Sequence, residues 1–330
     1  MKLKMHQVLY INLRNFPFLL QKNFNILNRI FLSEKRDANF CYERAKKWII
    51  KNTIPGKGVI SSSLHKNISH IEVTGYLIPT LISAKEIKLA RQYAVFLKNV
   101  QRPNGAFTGS ADGKEYVFDS GQALRGFLAA SYLWPEFKPY AKKTADYIIS
   151  LMKESGSIPS MYDGVTENIN IYILPALREA SKILEDEKYE IAAKKSLQYY
   201  KNKEDILNEN LLTHDLAYIL DGFCDMEGKD FVRQFIKDFF KRRINNGKIL
   251  AYPNDSWTCS AGDAQLAVVA YKLGMQDYAD EIMGYLCKVQ NISGGFYGSY
   301  GFLGYYFNDA EIGWVNKFFM DAVHLKTSRA

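Results

Sequence analysis

Three pairs of polar residues sit at helical spacing inside otherwise apolar stretches: Glu72 with Tyr76, Asp119 with Gln122, and His214 with Tyr218. Spacings of three or four residues put both members on one helix face. Polar groups sharing a buried face need a ligand or each other. Glu72 and Asp119 are the residue types that act as the carboxyl pair in glycosidic-bond cleavage. Tyr76, His214 and Tyr218 are proton carriers, and a tyrosine near positive charge can have its pKa lowered toward a useful value. Arg125, one turn beyond Gln122, has the planar fork that grips a carboxylate; a buried partner for Glu72 or Asp119 is its plainer role. Asp263 and Asp309 read more simply as helix-start residues, favoured by the orphan amides and the dipole. Trp257, Phe296, Tyr297, Tyr300, Tyr305 and Tyr306 lie in two long late loops, where they could stack on sugar rings or pack in the core.

The elements that must hold these residues repeat along the chain. Glycine-bearing turns recur around Gly58, Gly105, Gly156, Gly247 and Gly294 at roughly fifty-residue intervals, with a double interval whose missing turn falls at Lys201–Asn210. Each turn is entered by an amphipathic segment, at 38–52, 84–101, 135–153, 185–202, 229–243 and 275–290, and left by a segment apolar almost all round, at 71–83, 119–133, 167–183, 214–226, 262–273 and 309–324. Amphipathic helices belong outside and apolar ones inside. The expected fold is therefore all-α, an (α/α)6 toroid of about six outer and six inner helices with its site where the inner N-termini converge; an open helical solenoid is the competing geometry. Pro79 and Pro175 fall inside inner helices, where proline kinks the chain. No period-two run of useful length argues for strands.

Composition is that of a protein able to bury a core: 47% hydrophobic and 24% charged residues, with no stretch near the ~20 apolar residues of a membrane helix. The 22 Tyr and 20 Phe suit a surface that holds amphipathic ligands. Cys41, Cys224, Cys259 and Cys287 are far apart and read as free buried thiols of a reducing compartment. The start lacks a cleavage signal, which points to the cytoplasm. The net charge of +8 falls on faces such as Lys142–Lys143, Lys194–Lys195 and Lys241–Arg243, with no nucleic-acid motif, so nucleic acid is not expected as a partner. Residues 1–36 form an amphipathic arm whose Phe and Leu residues interleave with Arg14, Lys22, Arg29 and Lys35; the arm either touches the inner membrane face or packs on the domain. Residues 37–330 read as one toroid domain. GxGxxG, P-loop and metal-ligand spacings are missing, so no cofactor and no metal is expected.

The turns Gln101-Arg-Pro-Asn-Gly105-Ala-Phe107 and Gln290-Asn-Ile-Ser-Gly294-Gly-Phe296 resemble the QW repeat of triterpene cyclases. The cyclases' aspartate-rich run and the D-x-C-H zinc cluster of protein prenyltransferases do not occur. Six ordered segments, Glu72–Tyr76, Phe118–Gln122, Thr213–Tyr218, Ala261–Gln265, Gly295–Ser299 and Trp314–Phe319, resemble a bacterial toroid family associated with polysaccharide biosynthesis, over residues 40 to 324. That family is related in fold to uronyl C5-epimerases, polysaccharide lyases and glycoside hydrolases. The chain departs from the family's pattern at Asp215, usually neutral, and at Gly298–Phe302, usually G-S-x-P-I.

The resemblance implies a carbohydrate-active protein. The first expectation is a uronyl C5-epimerase acting on an acidic glycan or lipid-linked saccharide, with Tyr76, His214 and Tyr218 moving protons and Arg125 on the carboxylate. The second is a glycoside hydrolase using Glu72 and Asp119, and the third a non-catalytic glycan-binding or scaffold protein. Gln122, Arg125, Trp257, Gln265, Tyr300, Tyr305, Glu311 and Trp314 are the expected substrate-binding set.

Overall fold

The structure is a computed structural model and describes residues 36–109, 113–160, 165–226 and 228–328. The N-terminal arm, apart from Arg36, lies outside the described residues. In chain order the elements are α1 (Ala38–Lys51), β1 (Ile60–Ser62), β2 (His65–Ser69), α2 (Ile71–Ser83), α3 (Ile87–Val100), α4 (Val117–Ser131), α5 (Lys138–Leu151), α6 (Leu174–Leu184), α7 (Lys188–Lys201), α8 (Thr213–Asp225), α9 (Lys229–Arg243), β3 (Ile244–Asn245), β4 (Lys248–Ile249), β5 (Trp257–Cys259), α10 (Ser260–Lys272), α11 (Gln276–Val289), β6 (Ser299–Gly301) and α12 (Gly313–Thr327). A single 3-10 turn, Pro135–Phe137, precedes α5, and a longer 3-10 helix precedes α6. The strands form three two-stranded antiparallel sheets, of which β1–β2 and β3–β4 are hairpins and β5–β6 joins strands on either side of α10 and α11.

The odd-numbered helices form the outer ring and the even-numbered ones the inner ring. The inner sequences are apolar all round because they are covered all round: every residue of α10 from Ser260 to Tyr271 is buried. Outer helices keep a wet face, and Lys142, Lys143, Lys194, Lys195, Lys241 and Arg242 are exposed on it.

The turn glycines explain how the repeat closes. Gly105, Gly156, Gly247 and Gly294 adopt φ of 92°, 96°, 75° and 91°, where a side chain is strained. A Cβ at each would collide with a backbone carbonyl of the next outer helix, at Lys143, Lys195, Glu281 and Arg44 respectively. The fourth contact joins the end of the chain to α1, so the ring closes. Gln101 donates to Tyr140 O at 2.9 Å and to Thr144 Oγ1 at 2.8 Å on α5, and Gln290 donates to Cys41 O at 2.9 Å on α1. The first and last inner helices meet where Thr80 donates to Asp321 at 2.7 Å. The protein is an (α/α)6 toroid, and the open solenoid is excluded.

Three details differ from the sequence expectation. Pro175 lies in the first turn of α6, where its missing N–H is no loss; Pro79 alone of the two is inside a helix. The third inner segment begins as a 3-10 helix over Glu167–Ile173. The last inner helix starts at Gly313 rather than near 309, which leaves Asp309 and Glu311 in the preceding loop. All four cysteines are free and buried. Among the described residues no helix is long and apolar enough to cross a membrane.

Candidate active site

Because each inner helix starts at the same end of the toroid, first-turn residues from different repeats converge there. Glu72 is the second residue of α2, Asp119 the third of α4, His214 the second of α8 and Trp314 the second of α12. Together with Tyr218, one turn deeper on α8, they line a cavity of about 440 Å³, within the ~300–1,000 Å³ usual for ligand sites. His70, Tyr116, Phe118, Asp215, Tyr306 and Phe307 share the wall. In the first turn of α10, Asp263 is fully buried, and burial holds its carboxyl well above the usual range, but it does not line this cavity; a Cβ at Gly262 would strike Thr213 and the His214 backbone, so the small residue lets α10 press against the start of α8.

Tyr218 Oη donates to Glu72 Oε1 at 2.9 Å. The His214 ring lies 4.4 Å from that of Tyr218, and Phe118 meets Tyr218 edge-on at 4.9 Å. Across the cavity Trp314 donates to Tyr306 Oη at 3.1 Å and contacts the rings of His70 and Phe307 at 5.4 and 5.2 Å. Burial, and next the charge of Asp119, push Glu72 up to about 8 despite the neighbouring hydroxyls of Tyr218 and Tyr76 and the Lys317 ammonium. Burial lifts Asp215 to about 6. Burial also lowers His70 to about 4, and burial with the Lys317 charge lowers His214 to about 3, so both imidazoles are neutral. The expected lowering of a tyrosine pKa is reversed: burial, then the charge of Glu72, hold Tyr76 and Tyr218 well above the usual value.

The other residues singled out from sequence are not brought to this cavity. Tyr76 and Arg125 line a second, deeper cavity of about 220 Å³ with Tyr172, Asp221, Lys272 and Lys317. Arg125 donates to Tyr172 O at 2.8 Å and lies 4.5 Å above that ring, so it pairs with neither Glu72 nor Asp119. Gln122 is fully buried and accepts from Arg125 Nε at 3.4 Å, and Gln265 donates to Asp221 at 3.0 Å. Glu311, turned outward from its loop, accepts from Trp48 Nε1 at 2.7 Å, Asn291 at 2.9 Å and Ser293, which makes it a clasp between the last turn and α1. Trp257 and Tyr300 are buried in the β5–β6 pair, where Tyr300 Oη accepts from Tyr297 N at 3.0 Å. Tyr305 alone of the loop aromatics in that set is open to solvent.

His70 and Tyr116 were not singled out from sequence. Their signal is position: each immediately precedes the first residue of an inner helix and so reaches the rim. Among the described residues, no three His, Cys, Asp or Glu side chains gather to hold a metal ion.

The fold places the chain in the class of (α/α)6 toroids. Within that class it is similar to solved structures of an alpha-amylase from Clostridium perfringens (TM-score 0.67, 15% identity, covering 88% of this chain and 99% of that one). A D-mannose isomerase (0.66, 14%, 88% and 97%) and an unsaturated glucuronyl hydrolase specific for heparin (0.65, 14%, 89% and 99%) are similar in the same way. At these identities the likeness is one of architecture. No protein-family model matches the sequence, and no curated protein matches it.

Proposed function

We propose that the chain is a carbohydrate-active enzyme that cleaves glycosidic bonds of a neutral saccharide with the Glu72–Asp119 carboxyl pair. The observation that carries this reading is the protonated Glu72, held up to about 8 by burial and the Asp119 charge, beside that carboxylate in an aromatic-walled cavity. Glu72 would donate its proton to the leaving glycosidic oxygen. Asp119 would act on the anomeric carbon, directly or through water, and one water is consumed per bond. Similar folds include an amylase and a glucuronyl hydrolase, which supports saccharide as the substrate class. The sequence resemblance to polysaccharide-biosynthesis toroids further suggests a cell-surface glycan or its lipid-linked precursor.

Uronyl C5-epimerisation needs a cation on the uronate carboxylate, and the described lining holds no Lys or Arg but three carboxyl groups. The neutral His214 packed against Tyr218 keeps proton transfer at carbon as a second reading, one that the likeness to a D-mannose isomerase also supports. Incubation with neutral and uronate-containing oligosaccharides in D₂O separates the two. New reducing ends without deuterium on carbon are expected, and Glu72→Gln should lower the rate by roughly 10²-fold or more. Deuterium at C5 or C2 without cleavage would replace this reading by the epimerase or isomerase one. Specific binding with neither reaction would leave a non-catalytic glycan-binding protein.

A further inference from the structure

Next to the cavity the chain carries large apolar side chains into solvent: Phe302, Leu303 and Tyr305 are 74%, 73% and 67% exposed. Clustered exposure of this kind marks a contact surface. The segment is tied down along its length. Ser256 Oγ donates to Phe302 O at 2.6 Å, Asn308 donates to Gly304 O, and β6 pairs with β5 so that Trp257 faces Gly301. Leu303 and Phe307 take φ of 60° and 45°, a conformation that side-chain-bearing residues avoid unless their surroundings impose it.

Tyr305 is fixed in orientation as well as exposed. Its ring meets Trp257 edge-on at 5.0 Å, and its hydroxyl is 3.3 Å from that of Tyr252. The platform is continuous with the cavity, because Tyr306 and Phe307, the next two residues, turn inward to line it. On the other side, burial, then Tyr305 and the Asp215 charge, raise the Tyr252 hydroxyl, and Asp215 is itself a cavity residue.

We propose that Tyr305, with Phe302 and Leu303 beside it, is an outer saccharide platform, and that the substrate is a chain of several neutral sugar rings with one end in the cavity. The inference rests on the reading of the cavity as a saccharide site. An aromatic face suits the C–H face of a sugar ring, and the paired hydroxyls of Tyr252 and Tyr305 suit its rim. Residues 300–309 contain no Lys or Arg and end in Asp309, which does not suit an anionic lipid surface.

The test is calorimetric titration of linear neutral gluco- and manno-oligosaccharides of one to six rings into Glu72→Gln protein, whose slowed turnover lets binding be read, with and without Tyr305→Ala. Affinity is expected to rise by about tenfold or more between the two-ring and five-ring ligands. Tyr305→Ala should remove that gain and leave the shortest ligands unaffected, and Tyr305→Phe should keep most of it. Equal affinities of the Tyr305→Ala and parent proteins at every length would overturn the platform while leaving the cavity reading in place. Binding to phosphatidylcholine vesicles that Phe302→Ser with Leu303→Ser abolishes, at unchanged oligosaccharide affinity, would assign the patch to lipid instead. Failure of the parent protein to bind a saccharide of any length would remove both readings.

Discussion

The inner helices carry two polar regions, one in their first turns and one deeper in the toroid, and the two handle charge in opposite ways. In the deep region every charge has a partner: Lys272 lies 2.6 Å from both Asp221 and Asp225, and Lys317 lies 3.0 Å from Asp321 and 3.1 Å from Tyr172 Oη. At the rim the groups around the Asp119 carboxylate are kept from charging instead. Glu72 is held protonated and His70 and His214 neutral, and the His70 and His214 Nδ1 atoms are buried without a partner. A saturated ion network is a structural plug. A set of desolvated acids and bases, two of them imidazoles with an open Nδ1, is what a ligand completes.

The largest effect should come from breaking the plug. Lys272→Met leaves two carboxylates facing each other in the interior and should cost about 3–5 kcal/mol in denaturant unfolding. Glu72→Gln at pH 6 replaces one neutral group by another of similar shape and should change stability by less than about 1 kcal/mol. If the two variants destabilise equally, the contrast between the regions fails.

Activity should divide the other way. Glu72→Gln is expected to retain the fold and lose turnover by roughly 10²-fold or more, whereas Lys272→Met, assayed where it remains folded, should keep kcat within about tenfold. The wild-type rate should also fall as pH rises through about 8, because the acid is then lost from Glu72. A rate that is still rising above pH 9 would remove Glu72 from the role of acid.

The toroid was legible because its cause is local: a wet face on each outer helix, none on the inner ones, and at four of the turns a glycine that abuts the next outer helix. The polar pairs Glu72–Tyr76 and His214–Tyr218 were legible for the same reason, being anomalies on apolar faces. Depth along the helix was not legible. Helical spacing puts Asp119, Gln122 and Arg125 on one face, yet only Asp119, in the first turn, reaches the cavity, while Arg125 is drawn to the Tyr172 carbonyl of a neighbouring repeat. Glu311 was misplaced because the last inner helix begins later than its apolar pattern suggests, which frees the carboxylate to bind Trp48. Such partners lie more than forty residues away, and spacing carries no record of them.

The smallest and most specific effect lies in how the rim responds to pH. A carboxyl with a raised folded pKa favours the folded state below its unfolded value and loses that contribution as pH rises: Glu72 between about 4.5 and 8, Asp215 between about 3.8 and 6. The lowered imidazoles act in the reverse sense. Their stabilisation is complete above about 6.5 and fades as pH falls, toward 4 for His70 and 3 for His214. Between about pH 4.5 and 6 all four groups are in play, two taking up protons only when folded and two only when unfolded, so these contributions largely cancel. Single variants uncover them. Glu72→Gln should make stability rise with pH across that window, and His70→Phe should make it fall, each by up to about 1.4 kcal/mol per pH unit relative to wild type. Urea unfolding at half-unit pH steps measures both tilts. Parallel curves for the three proteins would mean that the rim groups titrate as ordinary surface residues, and the contrast with the plug would rest on geometry alone.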